Sequence, residues 1–369
     1  MNRRKGSAGS GDVQEKLEEP AARGHTSVAH VTDDWYIVCL SKKLGRKPLS
    51  ATILGTPFVI FRGENGEAGA LLDRCPHRNI PLSLGTVRGE LLECCYHGWQ
   101  FDRQGDCKIV PGLCDDQKLE RRHVKSYRVR EQDGFVWVYA SADVEPVREP
   151  FRFDLIGEKG YTAGREELTV ESSVHATSEN ALDVPHTAYL HGGLFRTSRG
   201  KRSIIDVVIR RFHDRVEAEY IGEARPAGLI GRLLAPHEGT VTHVDRFILP
   251  SITQVEYRLG DKVHLSVVTA LTPVHDFYTR IFAVVSFRLP IPGWLVMPLM
   301  RPMVMRIFRQ DARILRQQTD TIRRFGGEQY NSSEVDVLGP HIYRLLKQAE
   351  RGERNSSEAP YIRQTRMMV

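Results

Sequence analysis

The arrangement that most constrains this chain is Cys75-Pro76-His77 followed, after residues 78–93, by Cys94-Cys95-Tyr96-His97-Gly98-Trp99. Each stretch brings a thiol and an imidazole, so two loops must converge on one metal centre. Such a set places a 2Fe-2S cluster with two cysteines on one iron and two histidines on the other. It also meets the donor count of tetrahedral zinc. Zinc fingers carry their second pair as two histidines, whereas each pair here is one Cys and one His, so the flanking residues must decide.

Those flanks resemble the Rieske ferredoxin fold: Trp35-Tyr36 opening a first strand, Pro76 inside the first pair, Arg78 after it, Pro81-Leu82-Ser83-Leu84-Gly85 between the loops and Gly98-Trp99 closing the second. The resemblance implies that Cys75 and Cys94 hold a buried ferric iron and that His77 and His97 hold the iron nearer the surface. Rieske proteins of respiratory complexes add a disulfide-forming cysteine in each loop. Ile80 and Tyr96 stand at those positions, which implies the oxygenase type of centre and a lower potential. Cys95 departs from the family, where proline is usual; the two-residue gap to His97 assigns Cys94 as the ligand. Tyr96 and Trp99 are read as packing for the loops.

At 369 residues the chain exceeds the size of a usual single core, so two domains are expected. Its net charge of +6 does not mark a nucleic-acid binder. Lys and Arg are spread along the chain, with local clusters only at Arg3-Arg4-Lys5 and Arg121-Arg122, and no nucleic-acid module accompanies them. A basic face also suits an acidic electron donor. All six cysteines, Cys39, Cys75, Cys94, Cys95, Cys107 and Cys114, fall in the first third without a pairing framework, which favours a reducing cytoplasmic location. Arg3-Arg4 precedes no apolar run, so a secretory or twin-arginine signal is not expected, and residues 1–28 read as a disordered tail. The most apolar stretch, 289–308, contains four prolines, Arg301 and Arg306, which argues against a transmembrane segment.

Residues 30–142 alternate short β-rich runs with turn signals at Asn65-Gly66 and Gln104-Gly105, predicting a small all-β Rieske 2Fe-2S domain. The acidic, proline-containing stretch 143–150 reads as a linker. Residues 151–350 predict a large antiparallel sheet from strands at 162–174, 201–212, 215–224, 240–249, 251–259, 262–272 and 277–289. Helices at 178–191 and 302–325 complete an α+β helix-grip, START-like catalytic domain enclosing a cavity, with 351–369 as a C-terminal tail.

The first helix contains Asn180, Asp183, Pro185, His186 and His191. Asp183 and His186 share a face, while His191 lies about 140° further round at ~100° per residue. Both imidazoles meet one ion only where the helix is irregular, and Pro185 favours irregularity. In the second helix, positions 307, 308, 311, 314, 315 and 318 form one stripe, which places Asp311 in an apolar face. A carboxylate buried there requires a cation, a proton or an ion pair. Asp320 falls on the opposite side. His186, His191 and Asp311 make the two-histidine, one-carboxylate set that holds Fe(II) with open positions for O₂.

From about residue 30 to 350 the chain resembles the terminal (α) component of the Rieske non-haem iron aromatic-ring-hydroxylating oxygenases. Asn-x-x-Asp-x-x-His-x-x-x-x-His and Gln-Asp-x-x-Ile-Leu-x-x-Gln carry that resemblance. It implies a mono- or dioxygenase, monooxygenase favoured, which hydroxylates or demethylates a hydrophobic aromatic or polycyclic substrate with O₂. It also implies a homotrimer fed by a separate ferredoxin or flavin reductase. Asp183 takes the place of the aspartate that bridges the cluster of one subunit to the iron of the next, and Asn180 that of a weak or distant iron neighbour. The segments 226–236 and 290–302 are either a substrate-pocket rim, plain core or a trimer contact. Two other readings stand beside the oxygenase: a Rieske electron carrier or redox sensor, and a ligand-binding helix-grip module with a structural cluster.

Overall fold

The computed structural model describes residues 27–114, 119, 122–192, 204–223, 241–260, 262–353 and 359–368. In chain order the first strands are β1 (Trp35–Leu40), β2 (Leu49–Ile53), β3 (Thr56–Arg62), β4 (Ala68–Leu72), β5 (Thr86–Arg88), β6 (Leu91–Glu93), β7 (Gln100–Phe101), β8 (Cys107–Ile109), β9 (Ser126–Tyr127), β10 (Val129–Gln132) and β11 (Phe135–Tyr139). They form three small antiparallel sheets, β1-β11-β10, β2-β3-β4-β9 and β5-β6-β7-β8. β5, β7 and β8 have two or three residues each, too few for an alternating pattern to reveal them in the sequence.

β11 is buried along its whole length because it separates two cores. Val136 and Val138 point into the first domain, whereas Phe135, Trp137 and Tyr139 pack with Phe153 against Ile252, Val268, Phe282 and Val284 of the next. The two-residue period of a strand thus uses one set of side chains inside the domain and the other as the seam between domains.

The second region is an eight-stranded antiparallel sheet of β12 (Thr162–Val170), β13 (Ile204–Arg211), β14 (Arg215–Ile221), β15 (Val241–Ile248), β16 (Ile252–Leu259), β17 (Val263–His275), β18 (Tyr278–Arg288) and β19 (Tyr361–Met368). Its order is β12-β18-β17-β16-β15-β14-β13-β19. Helices α1 (Val174–Leu182), α2 (His186–Leu190), α3 (Gly293–Arg324) and α4 (Gly339–Glu350) accompany it. Along β17, Val268 and Ala270 face the first domain, while Leu265, Val267, Thr269 and Leu271 face a cavity on the opposite side.

Several expectations need correction. The strand expected at 162–174 ends at Val170, and the helix expected at 178–191 is two helices, the first starting at Val174 where Ser173 caps it by accepting from the Ala176 amide. The second long helix begins at Gly293 rather than 302 and runs through Pro298 and Pro302. Both prolines are exposed and four residues apart, so the carbonyls they leave unbonded, at Trp294 and Pro298, lie along one solvent-facing line. Residues 361–368 of the expected C-terminal tail form β19, an edge strand paired with β13. Ser27 and Val28 of the expected N-terminal tail are pinned: Ser27 Oγ lies 2.8 Å from Ser173 Oγ, and Lys347 donates to the Val28 carbonyl. Residues 1–26 and the segment 226–236 lie outside the described residues. Among those described, no helix is long and apolar enough to cross a membrane.

Candidate metal centres

The two loops of the first centre are copies of one turn. The Cys75 amide donates to the Ile80 carbonyl and the Cys94 amide to that of Trp99, both at 2.8 Å and five residues on. The Asn79 amide returns to Cys75 O at 2.9 Å and the Gly98 amide to Cys94 O at 3.1 Å. The equivalent residues Asn79 and Gly98 adopt φ of 62° and 69°. At Gly98 a side chain is doubly opposed, since a Cβ there would also sit 3.0 Å from Pro111 Cγ.

This turn sorts the donors. Cys75 and Cys94 are buried side by side, whereas Cys95 points to solvent. Burial pushes the Cys75 thiol up to about 11, against backbone N–H bonds from His77 and Arg78 that favour the thiolate. A bound cation reverses that balance. The His77 and His97 rings lie 4.4 Å apart on the outer side, with His77 stacked on Trp99 at 4.7 Å and 3°. His77 Nδ1 is buried without a hydrogen-bond partner among the described residues, as an atom reserved for a metal would be. Thiols paired inside and imidazoles paired outside fit a cluster of two irons better than four donors around a single ion. Tyr96 is exposed, and Trp99 packs under the ring of His77.

At the second centre the sequence demanded an irregular helix, and the structure has one. Asp183 leaves α1 in an extended conformation (φ −83°, ψ 108°), Pro185 starts α2, and His191 ends it. Pro185 has no N–H to continue the α1 hydrogen-bond ladder, and the break re-aims the two imidazoles. His186 Nε2 and His191 Nε2 are 3.2 Å apart, and Asp311 Oδ1 from α3 lies 3.6 and 3.0 Å from them. These three atoms all fall within 4.8 Å of one another.

The outer nitrogens determine what the inner ones can do. His186 Nδ1 donates to the Asp183 carbonyl and lies 3.5 Å from Asp183 Oδ2; His191 Nδ1 donates to Gln310 Oε1 at 2.9 Å. With Nδ1 the donor on both rings, Nε2 is the nitrogen whose lone pair is left for a cation once its own proton is displaced. Burial opposes a charge on His186, but Asp183 and Asp311 outweigh it and push its pKa up to about 9. Burial likewise opposes ionisation of Asp311, yet hydrogen bonds from His186 and His191 hold its carboxyl below the usual range. A site that retains a proton so strongly when metal-free fits a divalent ion. Gln310, unassigned by the sequence analysis, is the partner of His191; its position beside Asp311 was the available signal. Asp320 is exposed, as expected.

The centre lies in the wall of a cavity holding about 1370 Å³ of non-protein space, its open mouth included. Apolar side chains dominate that wall, among them Leu168, Val255, Leu265, Met303 and Phe308, and Asn180 and Asp183 also reach it. From the segment 290–302 Met300 contributes, whereas Trp294, Leu295 and Leu299 face outward.

Comparison with known proteins agrees with this architecture. Residues 34–128 match the Rieske [2Fe-2S] domain, and residues 170–352 match the vanillate O-demethylase oxygenase C-terminal domain. The chain belongs to the Rieske non-haem iron oxygenases, a family with a 2Fe-2S cluster and a catalytic non-haem iron. It is 31% identical over 188 residues to the oxygenase component of dicamba O-demethylase from Stenotrophomonas maltophilia, covering 48% of this chain and 53% of that protein. Against the vanillate O-demethylase oxygenase subunit of a Pseudomonas species it is 25% identical over 354 residues, 89% of this chain and 97% of that one. The crystal structure of dicamba monooxygenase bound to dicamba superposes with a TM-score of 0.73 at 23% identity, covering 88% of this chain and 99% of that chain. The match spans only about a third of the length of several other curated relatives, 34%, 32% and 30%.

Proposed function

We propose that the protein is the terminal oxygenase component of a multicomponent system, taking O₂ and reductase-supplied electrons to hydroxylate or demethylate a hydrophobic organic molecule, as a monooxygenase. The observation that carries this reading is the convergence of His186 Nε2, His191 Nε2 and Asp311 Oδ1 at the wall of an apolar cavity. The relatives named for dicamba and vanillate O-demethylation support the same reaction class.

Cys75, Cys94, His77 and His97 are the cluster ligands in this reading, and His186, His191 and Asp311 the iron ligands. When bound, the two groups supply single electrons and oxygen activation. The chain's own part is to hold those donors, keep water from the cavity through its apolar walls and present the substrate beside the iron ligands. His77 and His97, at the surface, offer the electron an exit, and Asp183 offers an entrance. Asp183 touches His186 while its side chain remains about a third exposed, at 32%. That position suits a bridge to the cluster of a neighbouring subunit in a homotrimer, with a separate ferredoxin or flavin reductase as donor and a cytoplasmic location. Asn180 lines the cavity beside Asp183, consistent with a place near the iron.

The test is iron and acid-labile sulfide per chain in anaerobically prepared wild type and Asp311→Ala. About three irons to two sulfides, falling to about two to two with the visible cluster spectrum retained, is the expected outcome. About two to two in both, with added Fe(II) failing to bind, refutes the oxygenase and leaves an electron carrier.

A further inference from the structure

The cavity holds a second polar group that iron ligation does not use. His243 on β15 registers with Tyr220 of β14 on one side and Tyr257 of β16 on the other. The cross-strand register stacks the three rings, at 4.4 Å and 21° for Tyr220 and 4.1 Å and 18° for Tyr257. His243 Nδ1 lies 2.6 Å from Glu223 Oε2 and its Nε2 lies 2.9 Å from Asp245 Oδ1. All three polar side chains are buried, with exposures of 0% for His243, 4% for Glu223 and 1% for Asp245.

Two carboxylate acceptors at both ring nitrogens require an N–H on each, so the ring is an imidazolium and the trio carries one net negative charge. Burial disfavours the charge on His243, but Asp245 and Glu223 push its pKa up to about 9. Asp245 and His243 line the same cavity as His186, His191 and Asp311. Among the described residues, the bond to His243 is the one hydrogen bond Asp245 makes, although a carboxylate has roughly four acceptor positions. Its strand neighbours are Ala218 and Val255, which offer no side-chain donor. Nearby, the buried Tyr220 Oη also lacks a hydrogen-bond partner among the described residues.

We propose that Asp245, held in place by His243 and Glu223, is the polar anchor of the substrate cavity and selects hydrophobic molecules that carry a hydroxyl or amine. This rests on the oxygenase reading and narrows its substrate class. A purely hydrocarbon ligand leaves the remaining acceptor positions of a desolvated carboxylate unfilled, and a carboxylated aromatic meets a like charge. A hydroxyl or ammonium group meets an acceptor already oriented and already stripped of water. His243 and Glu223 act through Asp245 and are positioning residues.

The experiment measures equilibrium binding of 2-naphthol, 2-methylnaphthalene and 2-naphthoate to the full-length, iron-loaded protein by ligand fluorescence, without turnover. Wild type should bind 2-naphthol roughly 10- to 100-fold more tightly than 2-methylnaphthalene, with 2-naphthoate weakest. Asp245→Asn keeps the shape and removes the charge, so 2-naphthol should lose most of its advantage and 2-naphthoate should gain. His243→Gln, with cluster spectrum and melting temperature as folding controls, should erode the discrimination less. Equal binding of 2-naphthol and 2-methylnaphthalene, preference for 2-naphthoate, unchanged discrimination in Asp245→Asn, or no binding of any probe overturns the anchor. The oxygenase reading fails independently, through absence of the second iron.

Discussion

The two candidate metal centres have opposite architecture. The cluster cradle consists of two equivalent turns between very short strands, with thiols buried and imidazoles at the surface. The iron triad lies on helix ends and a helix face inside a cavity, with His191 only 2% exposed. A group that passes electrons to a partner needs a thin cover, whereas one that meets a hydrophobic substrate needs a dry one. The cradle is therefore local in sequence, and the triad takes its third donor from a distant helix.

In the proposed function Asp183 is the bridge between the two designs, so its substitution should have the largest effect on their connection. Asp183→Asn should retain both metals and lower turnover roughly 100-fold, measured as product per electron-donor-limited cycle with iron content as control. Full activity in that variant would sever the bridge. Gln310→Ala tests whether the triad depends on outer support that the cradle does not need. Fe(II) affinity at the second centre should fall about 10- to 100-fold by competition with a chelator, with the visible cluster spectrum unchanged.

Proton dependence should separate the centres further. His186 is raised from 6.5 to about 9 in the metal-free protein, so Fe(II) must displace its proton at neutral pH. Affinity should rise by about tenfold per pH unit up to about pH 9 and then level off, read by Fe(II) titration of protein with its cluster intact. A flat profile would place that proton elsewhere. The linked stability has the opposite sense. In the metal-free chain the raised His186 pKa contributes stability that is present below pH 6.5 and lost as pH climbs through about 9, readable as a falling melting temperature. The smallest effect belongs to Cys95→Ala, since this side chain points to solvent; the cluster spectrum should not change and stability should move by less than about 0.5 kcal/mol. Bleaching would reassign the ligand.

Legibility followed range. Cys-x-His and Cys-x-x-His are local spacings, so the sequence nominated the cradle residues before any fold was known. The apolar stripe around Asp311 disclosed a carboxylate needing a partner, and Pro185 marked where a helix had to break. Gln310 was hidden because nothing in helical periodicity says which neighbour of a ligand reaches across to another helix. β19 was hidden because Tyr361–Met368 is mostly exposed on a sheet edge and lacks an alternating pattern. Helix α3 began nine residues earlier than expected because its prolines face water, where the lost hydrogen bonds cost little.

The sequence by itself determined the domain order, the family resemblance and the chemistry of the donors, because residue type and short spacing carry that information. Only the tertiary structure decided that His186, His191 and Asp311 share one point, and that Glu223, His243 and Asp245 join in one chain of which His243 and Asp245 line the same cavity. His243 and Asp245 fall at alternate positions of the strand expected at 240–249, but their partners and their burial depend on register between strands, and register is settled by packing across the whole sheet.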